Sequence, residues 1–139
     1  KKNNDVYAFA KIKNPATTVD WLSKDKMIVQ MYNLDQWCGN RPSVSFYKDM
    51  MCLLSMIHKP GAIRKIRKEL PVYFIYGTED PVGDYGRSVE NLIGIYKNNG
   101  MTNIEYKAYK NDRHEVLNET DKEKVEKDVL TWLSKTLTE

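Results

Sequence analysis

Two residues carry the only arrangement in this sequence that points to chemistry. Asp80 follows the apolar run "VYFIYG", in the stretch "YFIYGTEDPVG" at 73–83. His114 follows a second strand-like stretch, in "KNDRHEVLNE" at 110–119. A hydroxyl is a poor nucleophile until an imidazole accepts its proton. The imidazole in turn needs a carboxylate to hold its tautomer and stabilise its charged form. Either residue alone is ordinary: "TEDP" is good turn chemistry, and a lone loop histidine is usually idle. Together, Asp before His and each where a strand gives way to a loop, they resemble two thirds of a nucleophilic triad.

The elements that must position them are readable. Pro71 opens "PVYFIYG" and Gly77 closes it, a short continuous apolar run of the kind buried on both faces of a parallel sheet. "TEDPVGDYG" is a loop rich in turn formers. Val89, Leu92, Ile93 and Tyr96 then recur at helical spacing, with Gly100 at the place of a C-terminal glycine. In "NIEYKAY", Ile104, Tyr106 and Ala108 alternate with Glu105 and Lys107, which predicts a half-buried strand near a sheet edge. Thr120 and Glu123 form the pattern of a capping box. Val125, Val129, Trp132, Leu133 and Leu137 mark one face of a closing helix. Strand, helix, strand, helix predicts an α/β fold with parallel strands. Right-handed crossovers bring both loops to one carboxyl edge of the sheet, where ligands sit in such folds. Asp80 and His114, 34 residues apart in sequence, become neighbours there. Two strands do not make a stable sheet covered on both faces, so further strands are expected from elsewhere.

Residues 1–70 read as helical, rich in Met and aromatic residues, and form a cap or lid region; residues 71–139 form the strand–helix–strand–helix part of the core. Trp21, Ile28 and Met31 fall in a helix-like frame. Phe46, Met50, Leu53, Leu54 and Ile57 fall in another, with Ser43 or Ser45 as its cap. "GAIRKIRKEL" reads as a short basic helical turn.

Several sequences resemble one family. "LPVYFIYGTEDPVGDYGRSV" looks like the Asp loop, and "RHEVLNE" the His loop, of bacterial monoacylglycerol lipases and lysophospholipases, which are α/β-hydrolases. "DWLSKD" at 20–25 and "YNLDQWCGN" at 32–40 are similar to motifs of their cap, with Gln36 standing where a Pro is common. The resemblance runs from about Val19 to Leu133. It implies the C-terminal part of an α/β-hydrolase fold with a helical cap segment, in which Asp80 and His114 are the triad Asp and His. It implies a serine esterase or lipase acting on lysophospholipids or monoacylglycerols, with Met-rich cap helices along an apolar acyl pocket.

The nucleophile is missing. Of the seven glycines, only that of "GRSVE" at 86–90 has Ser two positions later, and Glu90 replaces the second Gly of G-x-S-x-G. Ser88 also follows Asp80, against the order Ser, Asp, His, and lies at a helix start. Ser23, Ser43, Ser45, Ser55 and Ser134 lack an elbow context. Cys38 reads as structural in the cap and Cys52 as core on an apolar helical face. The expectation is therefore a chain that lacks the N-terminal half with the serine elbow and is inactive alone. That half is its expected partner, besides an ester or lipid substrate. The chain also starts without Met. The alternative is a non-catalytic binding module on the same scaffold, which a natural start at Lys1 would favour.

Bulk properties exclude little else. Apolar residues make up 41%, enough for a core, and the net charge of +3 with no aromatic-laced basic stretch does not argue for nucleic acid. No apolar run reaches the roughly 18 residues of a membrane span. "KKNNDVYAFAKIKN" lacks the apolar region of a signal peptide. Two cysteines outside any CxxC pattern suit a reducing, cytoplasmic setting. The basic run Arg64, Lys65, Arg67 and Lys68 reads as a solvated face, with a peripheral role at anionic lipid as the other reading. Glu115 has Asn118, not His, where a zinc protease motif needs its second ligand. No metal or organic cofactor is called for, and homo-oligomerisation and substrate-binding residues stay open.

Overall fold

The computed structural model describes Ile12 and residues 14–138. Most of the N-terminal stretch read as no signal peptide lies outside these residues. The elements in order are α1 (Lys26–Leu34), α2 (Val44–Ile57), α3 (Pro60–Arg64), β1 (Val72–Gly77), α4 (Arg87–Asn98), β2 (Ile104–Tyr109) and α5 (Lys122–Thr138). A single turn of 3₁₀ helix at Val116–Asn118 separates β2 from α5.

β1 and β2 pair in parallel, Val72 opposite Ile104 through Gly77 opposite Tyr109. Helices cover both faces. On one, Phe74 packs against Tyr96 of α4, the Lys97 ammonium sits over the Tyr106 ring, and the Tyr76 hydroxyl donates to Glu90. On the other, Tyr73 stacks on Trp132 of α5 and Tyr109 donates to Asp128. Ile75, Tyr109, Val116 and Val125 close a small core there. β2 is half-buried, but its exposure does not follow the apolar and polar positions: Tyr109 is buried and Ile104 and Lys107 partly so, whereas Glu105, Tyr106 and Ala108 are exposed. Glu105 and Lys107 pair with Lys135 and Asp128 of α5.

α4 ends as its glycine predicts. Gly100 takes φ +87°, its N–H bonds the Lys97 carbonyl, and the Met101 N–H bonds the Tyr96 carbonyl, a Schellman closure. α5 differs from expectation at both ends. It begins at Lys122, with Lys124 N–H on the Asp121 carbonyl, and no bond between Thr120 and Glu123 appears among the described residues. Leu133 and Leu137, placed on its apolar face by spacing, are exposed.

Trp21 is not helical. α1 starts later, at an Asp25 N-cap whose carboxylate accepts from Met27 N. Ser43 caps α2, accepting from Phe46 N. Not one residue of α2 is buried, and Met27, Met31, Met50, Met51 and Met56 are all exposed. Cys52, expected in the core, is exposed with the rest of that helix, and Cys38 is half-buried. Ser88 sits in the first turn of α4. No helix among the described residues is long and apolar enough to cross a membrane.

The last residue of β1 meets the loop that carries His114. A Cβ on Gly77 would lie 2.2 Å from the carbonyl oxygens of both Asp112 and Arg113. These are backbone atoms fixed by Glu79 N–H on the Asp112 carbonyl at 2.8 Å, so they cannot step aside cheaply. Gly77→Ala should cost more than about 2 kcal/mol of unfolding free energy, as overpacking against fixed atoms does. Urea denaturation of the intact protein measures it, and an unchanged midpoint would mean the two loops are not locked together here.

Candidate active site

Both loops leave the carboxyl ends of their strands side by side. Thr78 N–H bonds the Tyr109 carbonyl, and the Thr78 hydroxyl accepts from Asn111 N. Beyond this stitch the first loop coils tightly: Asp84, Tyr85 and Gly86 all have positive φ, and the Tyr85 N–H returns to the Asp80 carbonyl at 2.7 Å. The coil buries Asp80, which is 7% exposed. Its Oδ1 accepts from Val82 N at 2.8 Å, an Asx turn that fixes the carboxylate plane. A Cβ at Gly83 would stand 2.9 Å from Asp80 Oδ2, so a residue without a side chain keeps that oxygen clear.

Asp80 Oδ2 faces His114 Nδ1 at 3.1 Å. An ionised carboxylate only accepts, so Nδ1 carries the proton and donates. In the neutral ring the lone pair then belongs to Nε2, which has no hydrogen-bond partner among the described residues. The ring is 39% exposed, held on one face by Trp21 with centroids 5.3 Å apart. It is a base oriented from behind and open in front. The hydrogen bond to Asp80 raises the His114 pKa above its ordinary 6.5; partial burial opposes this, and the charges of Asp80 and Glu115 add to it.

The structure thus brings together the two residues singled out in the sequence. It supplies no nucleophile beside them from the serines weighed there. Burial of the Cys38 thiol and the adjacent Asp35 push its pKa up, away from the thiolate. A cleft of about 440 Å³ lies between α1 and the His loop, lined by Val29, Leu34, Lys24 and Arg113 among others. It contains no methionine and reaches neither Asp80 nor His114. Among the described residues no group of three or more His, Cys, Asp or Glu could hold a metal ion.

Sequence reasoning missed the support behind the His loop. His114 N–H bonds the Trp21 carbonyl at 3.3 Å and Glu115 N–H the Leu22 carbonyl at 2.8 Å. Ser23, Asp112 and Glu119 are buried there, at 1%, 0% and 1% exposure. Lys24 pairs with Asp112 at 2.7 Å. Glu119 stands in the quoted "RHEVLNE" and Trp21 to Lys24 in "DWLSKD", but a contact across more than 90 residues has no local signature.

The fold is part of an α/β-hydrolase fold, as comparison with known proteins shows. The family model described as serine aminopeptidase, S33, matches residues 5–121, and the chain belongs to that family. A highly thermostable carboxyl esterase from Bacillus coagulans, solved in complex with glycerol, superposes with a TM-score of 0.82 at 26% identity. The match covers 92% of this chain and 42% of that one. A lipase in its open form gives 0.78 at 25% identity, over 94% of this chain and 43% of the lipase. The chain thus spans well under half the length of the structures it resembles. No curated protein matches it.

Because folding raises the His114 pKa, protonated His114 stabilises the folded state. That contribution is complete below the unfolded-state value and is lost as pH rises through the higher folded value. An NMR titration of the intact protein should place the His114 midpoint above that of a free histidine. Asp80→Asn should bring it back down. A midpoint that Asp80→Asn leaves in place would show that the pair does not interact.

Proposed function

We propose that the intact protein is a carboxylic ester hydrolase that works through a Ser-His-Asp triad, with Asp80 and His114 as its last two members. One observation carries this: a buried carboxylate holds Nδ1 of a loop histidine at 3.1 Å and leaves Nε2 open, at the carboxyl edge of a parallel sheet. Nε2 takes the proton of a serine hydroxyl as that oxygen attacks the ester carbonyl, then gives it to the leaving alcohol. Asp80 keeps the tautomer and stabilises the imidazolium. Water, activated by the same nitrogen, hydrolyses the acyl-enzyme. The serine lies outside this chain, so the chain alone is inactive.

The family is named for a serine aminopeptidase, and the triad serves amide and ester substrates alike. The ester reading is favoured by the esterase and lipase that the chain resembles. A lipid ester such as a lysophospholipid or monoacylglycerol is favoured by α1 and α2, whose exposed Met27, Met31, Phe46, Leu53 and Ile57 offer an apolar surface to an acyl chain. A cytoplasmic enzyme, peripheral at a lipid surface, fits the same picture.

In the intact enzyme His114→Ala should abolish nearly all turnover of a short-chain ester. Asp80→Asn should lower kcat on the order of 10⁴-fold, through the wrong tautomer. Full activity in His114→Ala would contradict the triad and reduce the family relationship to ancestry, whereas no ester turnover in the parent protein would favour a non-catalytic binding role.

A further inference from the structure

Asp80 fixes one atom of the imidazole, and a single hydrogen bond does not fix a ring. The remaining degrees of freedom belong to the backbone at 113–115. That backbone lies along residues 21–22, through the His114 and Glu115 amides and the Trp21 ring. Whether the ring is held therefore depends on what fixes these two segments to each other.

One side chain grips both. Glu119 Oε1 accepts from Arg113 N–H at 2.7 Å, on the residue before His114. Oε2 accepts from Lys24 N–H at 3.0 Å and from the Ser23 hydroxyl at 3.2 Å, on the residues after Leu22. The Arg113 guanidinium reinforces the join, its Nη1 donating to the carbonyls of Asp20 and Ser23 at 2.5 and 3.1 Å. Glu119 is 1% exposed, so water does not replace a lost partner, and an unmet buried donor is costly. The geometry points to Glu119 as a positioning residue, a buried carboxylate that clamps the His114 loop to residues 23–24 and so aims Nε2. It touches no reacting atom, and the assignment rests on the triad reading above.

A purely structural anchor would make a different prediction: fewer folded molecules, each with parental chemistry. A positioning residue alters the folded molecules. Glu119→Gln separates the two, because an amide has one acceptor oxygen and cannot serve both the Arg113 and Lys24 amides. Near-UV circular dichroism of the intact enzyme establishes folding. In the folded protein Glu119→Ala should lower kcat on the order of 10²-fold with KM little changed, as misplacing a catalytic group does. Glu119→Gln should fall between parent and Ala. A weakened Asp80 contact lowers the His114 pKa, and His114 acts as a base when neutral. The acid limb of the kcat/KM profile should therefore move to lower pH in both variants. Parental kcat and an unmoved acid limb in folded variants would overturn the proposal, as would failure of Glu119→Gln to fold, which would mark a structural anchor. Asp80→Asn run in parallel distinguishes the two readings. If it too keeps parental kcat, the triad reading has failed, and not the role of Glu119 alone.

Discussion

An imidazole is aimed only if the chain on both sides of it is fixed, and here the fixing starts from the parallel register of β1 and β2. Gly77 opposite Tyr109 ends both strands at the same level, so the loops to Asp80 and His114 leave together. The absence of a side chain at Gly77 lets the Asp112 and Arg113 carbonyls close over the strand end. Glu79 N–H and Thr78 then bond across to the second loop. The 3.1 Å contact between Asp80 and His114 follows from this stitching, since neither loop has freedom to move relative to the other.

The second constraint comes from the far side. Residues 20–24 bring a ring, four carbonyls and Lys24 against the His loop, and Glu119 joins the segments. The imidazole thus has a carboxylate at Nδ1, a tilted indole on one side and an anchored backbone behind, and its Nε2 has no hydrogen-bond partner among the described residues. Such a site stores its order in buried polar groups rather than apolar packing. Asp112 and Glu119 are buried carboxylates beside a core of few residues. Glu119 is held at both oxygens by amide and hydroxyl donors, and Asp112 at Oδ1 by the Lys24 ammonium, while Asp112 Oδ2 has no hydrogen-bond partner among the described residues.

Much of this was legible in the sequence where the signal is local. The apolar run of β1, the spacing of α4 with Gly100, and the loop positions of Asp80 and His114 all follow from neighbours in the chain. An α/β fold with parallel strands follows from the order of those elements, and the α/β-hydrolase fold is what the resemblance of the two loops implies. What failed was whatever depends on distant partners. The alternation of β2 marks two faces but not their neighbours, so it does not show that Tyr106 is exposed while Lys107 pairs with Asp128 of α5. Trp21 fits a helical frame by spacing, but its backbone is claimed by His114 across the molecule. Cys52 reads as core, and the methionines of α2 as the lining of an acyl pocket, because they are apolar, while none of that helix is buried by the described residues. Nothing local singles out Glu119, because its partners Ser23 and Lys24 lie far away in the chain.

The central claim is that this Asp–His pair serves a serine supplied from outside these 139 residues. Labelling of the intact protein with a fluorophosphonate, followed by peptide mass spectrometry, tests it most directly, because such probes need an activated serine. The account predicts a single labelled serine outside this sequence, and loss of the label in His114→Ala. A label on Ser88 or any other serine of this chain, or labelling that His114→Ala leaves intact, would contradict it.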